Sequence, residues 1–207
     1  MTVRLLVTGF EPFGGASTNP SADLVARLDT ATAVLPVELQ PLPELVAGLL
    51  ARHRPTHVLC LGLSSRAGGL LVERVGLNLV DARIPDNAGV QPVDEPVVPG
   101  GPAAYLVSLP VKAMLAGIRE AQVPAELSLS AGTYVCNALL YQVLHQAHLL
   151  PPDQRPRCGF IHLPPAATVS LDRQERGLRA ALARVDSAEP GLPGGFLGWP
   201  GTRTLSA

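Results

Sequence analysis

The sequence predicts an α/β fold, and three observations carry that reading. Short apolar runs alternate along the chain with segments of helical periodicity, the pattern of a parallel sheet covered by helices. The first such unit is a strand, a glycine-rich loop and an N-capped helix, the arrangement in which ligands sit beyond the carboxyl ends of strands. Hydrophobic residues make up 47% of the 207-residue chain and charged residues 16%, enough apolar surface to bury a substantial core.

Residues 3–7 read as the first buried strand, ending at Gly9. The loop Gly9-Phe10-Glu11-Pro12-Phe13-Gly14-Gly15 follows, and Asn19-Pro20 opens a helix with Asn as N-cap and Pro in the first helical position. The loop is neither a P-loop nor a dinucleotide fingerprint, because no Gly-Lys-Ser/Thr and no G-x-G-x-x-G is present. Phe10 and Phe13, two of four phenylalanines, either anchor this loop on the core or form the apolar wall of a pocket. Residues 34–39 are expected as a second strand, which Pro36 would confine to an edge. A helix over Leu42–His53 and a buried strand over His57–Leu63 come next. His57 and Cys60 fall on opposite faces of that strand, so they do not share a metal.

Residues 70–81 alternate and read as one strand, with Leu71, Glu73, Val75, Leu77 and Leu79 on one face. Glu73 is the only charge on that face, where a carboxylate is costly unless paired. It is either satisfied structurally or held to orient another group, such as an imidazole. A polar loop over 81–89 and an irregular stretch over 92–102 follow; so long a connection points to function. Residues 110–122 read as a helix, 125–129 as a strand, Arg157–Leu163 as a further strand and 171–185 as a final helix. A domain over 1–186 is therefore expected, followed by a Gly/Pro-rich tail over 187–207.

The chemistry concentrates at Cys136. After it, Leu139, Leu140, Val143, Leu144 and Ala147 repeat at the spacing of an amphipathic helix, so the thiol stands at a helix N-terminus. The positive end of the helix dipole and the unpaired N–H groups there favour a thiolate and a developing oxyanion. Geometry then sorts the five histidines. His145 lies roughly 13 Å along the same helix and about 180° around it, and His148 is farther. His53 and His57 sit at the amino end of a strand, the wrong edge for an α/β site. His162 remains, near the carboxyl end of its strand. Cys158 shares that strand face but lies roughly 13 Å away. Cys136, His162 and Glu73 thus suit a nucleophile, a base and an orienting group.

A net charge of -1 argues against nucleic acid as a partner, and no apolar run is long enough to cross a membrane. The N-terminus has no signal-peptide pattern, and three cysteines make no disulfide framework; a soluble, cytoplasmic protein is expected. Cys-x-x-Cys is absent, which argues against a thiol-redox enzyme.

Several blocks of the chain resemble the pyroglutamyl-peptidase I (pyrrolidone-carboxylate peptidase) family. They are Thr8-Gly9-Phe10-Glu11-Pro12-Phe13-Gly14-Gly15 with Asn19-Pro20, Glu73-Arg74 with Asn78, and Asp81-Ala82-Arg83-Ile84-Pro85-Asp86-Asn87. The others are Gly101-Pro102-Ala103-Ala104-Tyr105, Ala131-Gly132-Thr133-Tyr134-Val135-Cys136-Asn137 and Gly159-Phe160-Ile161-His162-Leu163-Pro164. The resemblance implies a single-domain three-layer α/β/α sandwich around a twisted, mostly parallel mixed sheet. It implies hydrolytic removal of N-terminal pyroglutamyl residues from peptides through a Cys136 thioester, with His162 and Glu73 completing the triad and no metal or cofactor. It further implies a lactam pocket of Phe10, Phe13, Leu63, Ile84, Tyr134 and Val135, with Arg83 and Asp86 as supporting groups near the oxyanion, and a homo-oligomer, dimer or tetramer. Two segments depart from the family pattern, Ser64-Ser65-Arg66-Ala67 and the Leu-Pro-Pro-Ala-Ala run after His162. The alternative is a non-catalytic lactam-binding protein on the same fold.

Overall fold

The computed structural model describes residues 2–188; the expected tail lies, apart from its first two residues, outside the described residues. The apolar runs form β1 (Leu5–Phe10), β3 (His57–Leu63) and β8 (Arg157–Leu163). With β2 (Ala31–Leu35), β4 (Leu70–Glu73) and β7 (Ala125–Ser128) they build a six-stranded sheet in the order β2-β1-β3-β8-β4-β7. All neighbours run parallel except β4 and β8. The nearly unbroken burial of β3 and β8 is what parallel strands covered on both faces require.

Among the described residues five helices cover the sheet: α1 (Pro20–Val25), α2 (Leu42–His53), α3 (Val111–Glu120), α4 (Val135–Leu149) and α5 (Leu171–Leu182). Strand alternation sends Val58, Cys60, Cys158 and Phe160 to one face, where they meet Val46 of α2 and Leu139 and Val143 of α4. The intervening Leu59, Leu61, Ile161 and Leu163 go to the other, against Leu24 of α1, Ile118 of α3 and Leu178 of α5. The result is an α/β/α sandwich with two apolar cores. Each fully buried leucine in them contributes about 1.5–3 kcal/mol relative to exposure.

Several elements differ from expectation; β1 starts at Leu5 and runs to Phe10 rather than over 3–7. The second strand is Ala31–Leu35 and stops before Pro36, although it does occupy an edge. Residues 70–81 are not one strand. The chain leaves the main sheet at Arg74, whose N–H donates to Ser128 O (2.9 Å) while its carbonyl accepts from Val107 N–H (3.0 Å). Beyond it, β5 (Val75–Leu77) pairs antiparallel with β6 (Ala104–Leu106) in a separate two-stranded sheet. Of the expected face only Glu73 is buried, Leu71, Val75 and Leu77 being half-buried, whereas Leu70, Val72 and Gly76 of the other face are buried. The last helix ends at Leu182 rather than Val185.

The long connection between β5 and β6 is irregular but tied down. The Asn78 side chain accepts from Val98 N–H (2.8 Å) and donates to the carbonyls of Val98 (2.9 Å) and Gly101 (3.2 Å).

Candidate active site

Because β1, β3 and β8 are parallel, their carboxyl ends lie on one edge of the sheet. His162 stands one residue from the end of β8. The antiparallel register of β4 sets Leu71 opposite His162, so Glu73, two residues on, shares its face at diagonal reach. His162 Nδ1–H donates to Glu73 Oε1 at 2.7 Å, with Glu73 fully buried and His162 6% exposed. That bond fixes the tautomer that presents Nε2 for proton transfer, the orienting arrangement of a triad. Among the described residues Glu73 Oε2 has no hydrogen-bond partner, so the imidazole is the one group that compensates this buried carboxylate.

Cys136 is the second residue of α4 and is half-buried. Gly132, at φ +78°, lets the chain turn into the helix, and the N-cap Tyr134 makes no side-chain cap bond to the first-turn N–H groups. Asn137, wholly buried, fixes this helix start: it accepts from Leu77 N–H and donates to the carbonyls of Leu77 and Leu79, each at 2.9 Å. The Cys136 side chain neighbours the His162 imidazole. Burial alone would lower the His162 pKa, but the neighbouring Cys136, with the hydrogen bond that His162 donates to Glu73 and the charge of that carboxylate, outweighs it and raises the pKa to about 9. The other thiols sit in apolar surroundings without exposure: burial pushes Cys60 up to about 12 and Cys158 well above its ordinary value.

A small recess opens beside the thiol, lined by Phe10, Phe13, Asn19, Val37, Leu63, Tyr134, Val135 and Cys136. Phe10 is 2% exposed and belongs to the core as well, so it both anchors its loop and faces the recess. Asn19 holds that loop in shape. It donates to Glu11 O (3.0 Å) and accepts from Ser21 N–H (3.1 Å) and Ser21 Oγ–H (2.9 Å).

Of the expected pocket residues, Phe10, Phe13, Leu63, Tyr134 and Val135 come together here. Ile84 and Arg83 do not line the recess; both are exposed on a segment that meets it where Tyr134 O–H donates to Pro85 O (3.0 Å). Asp86 is buried, but its carboxylate accepts from the backbone N–H groups of Leu39, Ala88 and Val90 at 2.8–3.0 Å. It clasps the loop and, being an acceptor, offers nothing to an oxyanion. Sequence reasoning missed Asn137 and Val37, and read Asn19 only as a cap. Asn137 carried a signal, a polar residue on the inward side of an apolar helix start; Val37 carried none.

A family model described as pyroglutamyl peptidase matches residues 3–186. The pyrrolidone-carboxylate peptidase of Levilactobacillus brevis is 44% identical over 201 residues, covering 88% of this chain and 97% of that protein. That of Streptomyces coelicolor is 45% identical over 203 residues, covering 87% and 90%. The crystal structure of pyroglutamyl peptidase I from Bacillus amyloliquefaciens superposes with a TM-score of 0.84 at 35% identity, covering 89% of this chain and 95% of that one. A match of this extent across sequence and fold establishes that the chain belongs to the pyroglutamyl peptidase family of cysteine peptidases.

Proposed function

We propose that the protein removes N-terminal pyroglutamyl residues from peptides, with Cys136 as nucleophile, His162 as general base and acid, and Glu73 as the group that orients the imidazole. The observation that carries this reading is the buried 2.7 Å bond between His162 and Glu73, beside a thiol at a helix start that faces an apolar recess. Pyroglutamate is a flat, uncharged lactam, suited to a recess walled by Phe10, Phe13 and Tyr134 with no charged side chain among its lining.

In this reading His162 Nε2, whose raised pKa keeps the imidazole charged at neutral pH, already holds the Cys136 proton when the sulfur attacks the pyroglutamyl carbonyl carbon as a thiolate. The developing oxyanion meets the first-turn N–H groups of α4. The C–N bond then breaks, and His162 returns the proton to the leaving amine, releasing the shortened peptide. Water, deprotonated by His162, attacks the thioester; the C–S bond breaks, pyroglutamate leaves, and the thiolate stands again beside the protonated imidazole. Glu73 steadies the imidazolium on which both half-reactions draw, and the raised pKa of His162 fits that role. In this reading Arg83 and Ile84, exposed and outside the recess lining, meet the peptide beyond the scissile bond rather than the lactam.

Assembly into a homo-oligomer and a cytoplasmic setting belong to the same proposal. Among the described residues no helix is long and apolar enough to cross a membrane. The test is hydrolysis of a pyroglutamyl aminocoumarin by the purified, reduced protein. Release of coumarin, together with none from the unblocked glutamyl analogue, is expected. Binding of pyroglutamate without turnover would overturn the peptidase reading in favour of a lactam-binding protein.

A further inference from the structure

Gly62 lies one residue from the end of β3, paired with His162 in the parallel register of β3 and β8. Its backbone is not in the left-handed region, so conformation does not demand glycine there. Space does. A Cβ at position 62 would come 2.8 Å from Cys136 Sγ and 2.8 Å from Phe160 Cζ, both closer than van der Waals contact permits. The Phe160 ring cannot easily yield, being 1% exposed in the core with its centroid 4.7 Å from that of His162. The half-buried thiol is the neighbour with room to move, so a Cβ here would displace the sulfur from its place on the sheet.

We propose that Gly62 is a positioning residue for the nucleophile: the side chain missing at this point of β3 is the seat in which the Cys136 sulfur rests against the sheet beside His162. The proposal builds on Cys136 as the nucleophile. Thiol and aromatic ring pack around one empty Cβ position, with His162 the register partner of Gly62, so the spacing of sulfur and imidazole depends on that vacancy.

The test is Gly62→Ala, with Gly159→Ala as a matched control. A Cβ at Gly159 would come equally close, 2.8 Å, but to Leu109 Cδ1, in the other core, and at a flexible side chain. In Gly62→Ala, kcat is expected to fall about tenfold or more while KM stays within about twofold, since misplacing a reacting group costs rate rather than binding. Alkylation of Cys136 by iodoacetamide at neutral pH should slow in the same variant. Gly159→Ala should keep kcat within about twofold whatever it does to Tm. If Gly62→Ala does not fold, the substitution is repeated on Phe160→Leu, which removes the ring edge but leaves the contact with sulfur; the same loss of kcat is expected relative to Phe160→Leu alone. Unchanged kcat and alkylation in the Gly62 variant, or an equal kcat loss in Gly159→Ala, would overturn the proposal. A wild-type protein inactive on pyroglutamyl substrates would end the peptidase reading instead, and the alkylation comparison would still decide the seat.

Discussion

Replacing Glu73 by Gln removes one charge from the site and almost no volume. The amide oxygen can still accept from His162 Nδ1–H, where the carboxylate now does so at 2.7 Å. What changes is the strength of that bond when the imidazole is charged. A hydrogen bond to an ionised group is worth about 1.5–3 kcal/mol and a neutral one about 0.5–1.5 kcal/mol, so the imidazolium loses about 1–2 kcal/mol of support. At roughly 1.36 kcal/mol per factor of ten, kcat should fall about 5- to 30-fold. KM should change by less than about twofold, because Glu73 does not line the recess. The glutamine NH₂ would replace Oε2, which has no partner among the described residues, so some loss of Tm is expected as well. Steady-state kinetics on a pyroglutamyl aminocoumarin, with Tm measured alongside, separates the effects. A variant with lowered Tm and wild-type kcat would refute an orienting role and leave Glu73 a structural carboxylate.

The three thiols and the His162 imidazole supply two further tests. Brief iodoacetamide treatment of the folded protein should label Cys136 well before Cys60 and Cys158, which have no exposure and whose thiols burial holds in the protonated form; equal labelling, read by peptide mass spectrometry, would contradict this. His162 titrates near 9 against an ordinary 6.5, so its contribution to stability is complete below about 6.5 and is lost as pH rises through about 9. Cys136→Ala removes the foremost group raising that value, so the imidazole proton followed by NMR should titrate at lower pH, and the fall in Tm between pH 6.5 and 9 should shrink. An unchanged midpoint would mean that the two side chains are not coupled.

Much of the fold was legible because burial on both faces leaves a plain trace. The runs at His57–Leu63 and Arg157–Leu163 are apolar almost throughout, and the Leu42–His53 helix has matching bounds in sequence and structure. The break at Arg74 was not legible. Period-two alternation reports which face is buried, not which strand lies alongside, and β4 and β5 pair with different partners. The three residues of β6, set among prolines and glycines, are too short to show a period. At the site, Cys136, His162 and Glu73 were singled out by helix register, strand ends and one misplaced charge. Gly62 was invisible inside an apolar strand, because its meaning is the space it leaves for residues distant in sequence. The Asp86 clasp also reads from sequence only as a polar turn, since its Leu39 partner is 47 residues away.

The most direct test is to quench the protein in acid during turnover of a pyroglutamyl substrate and locate the acyl group by peptide mass spectrometry. A pyroglutamyl thioester on the peptide that carries Cys136, absent from the Cys136→Ala variant along with turnover, is the expected result. Undiminished hydrolysis by Cys136→Ala, or an acyl group on another residue, would contradict the assignment of Cys136 as the nucleophile.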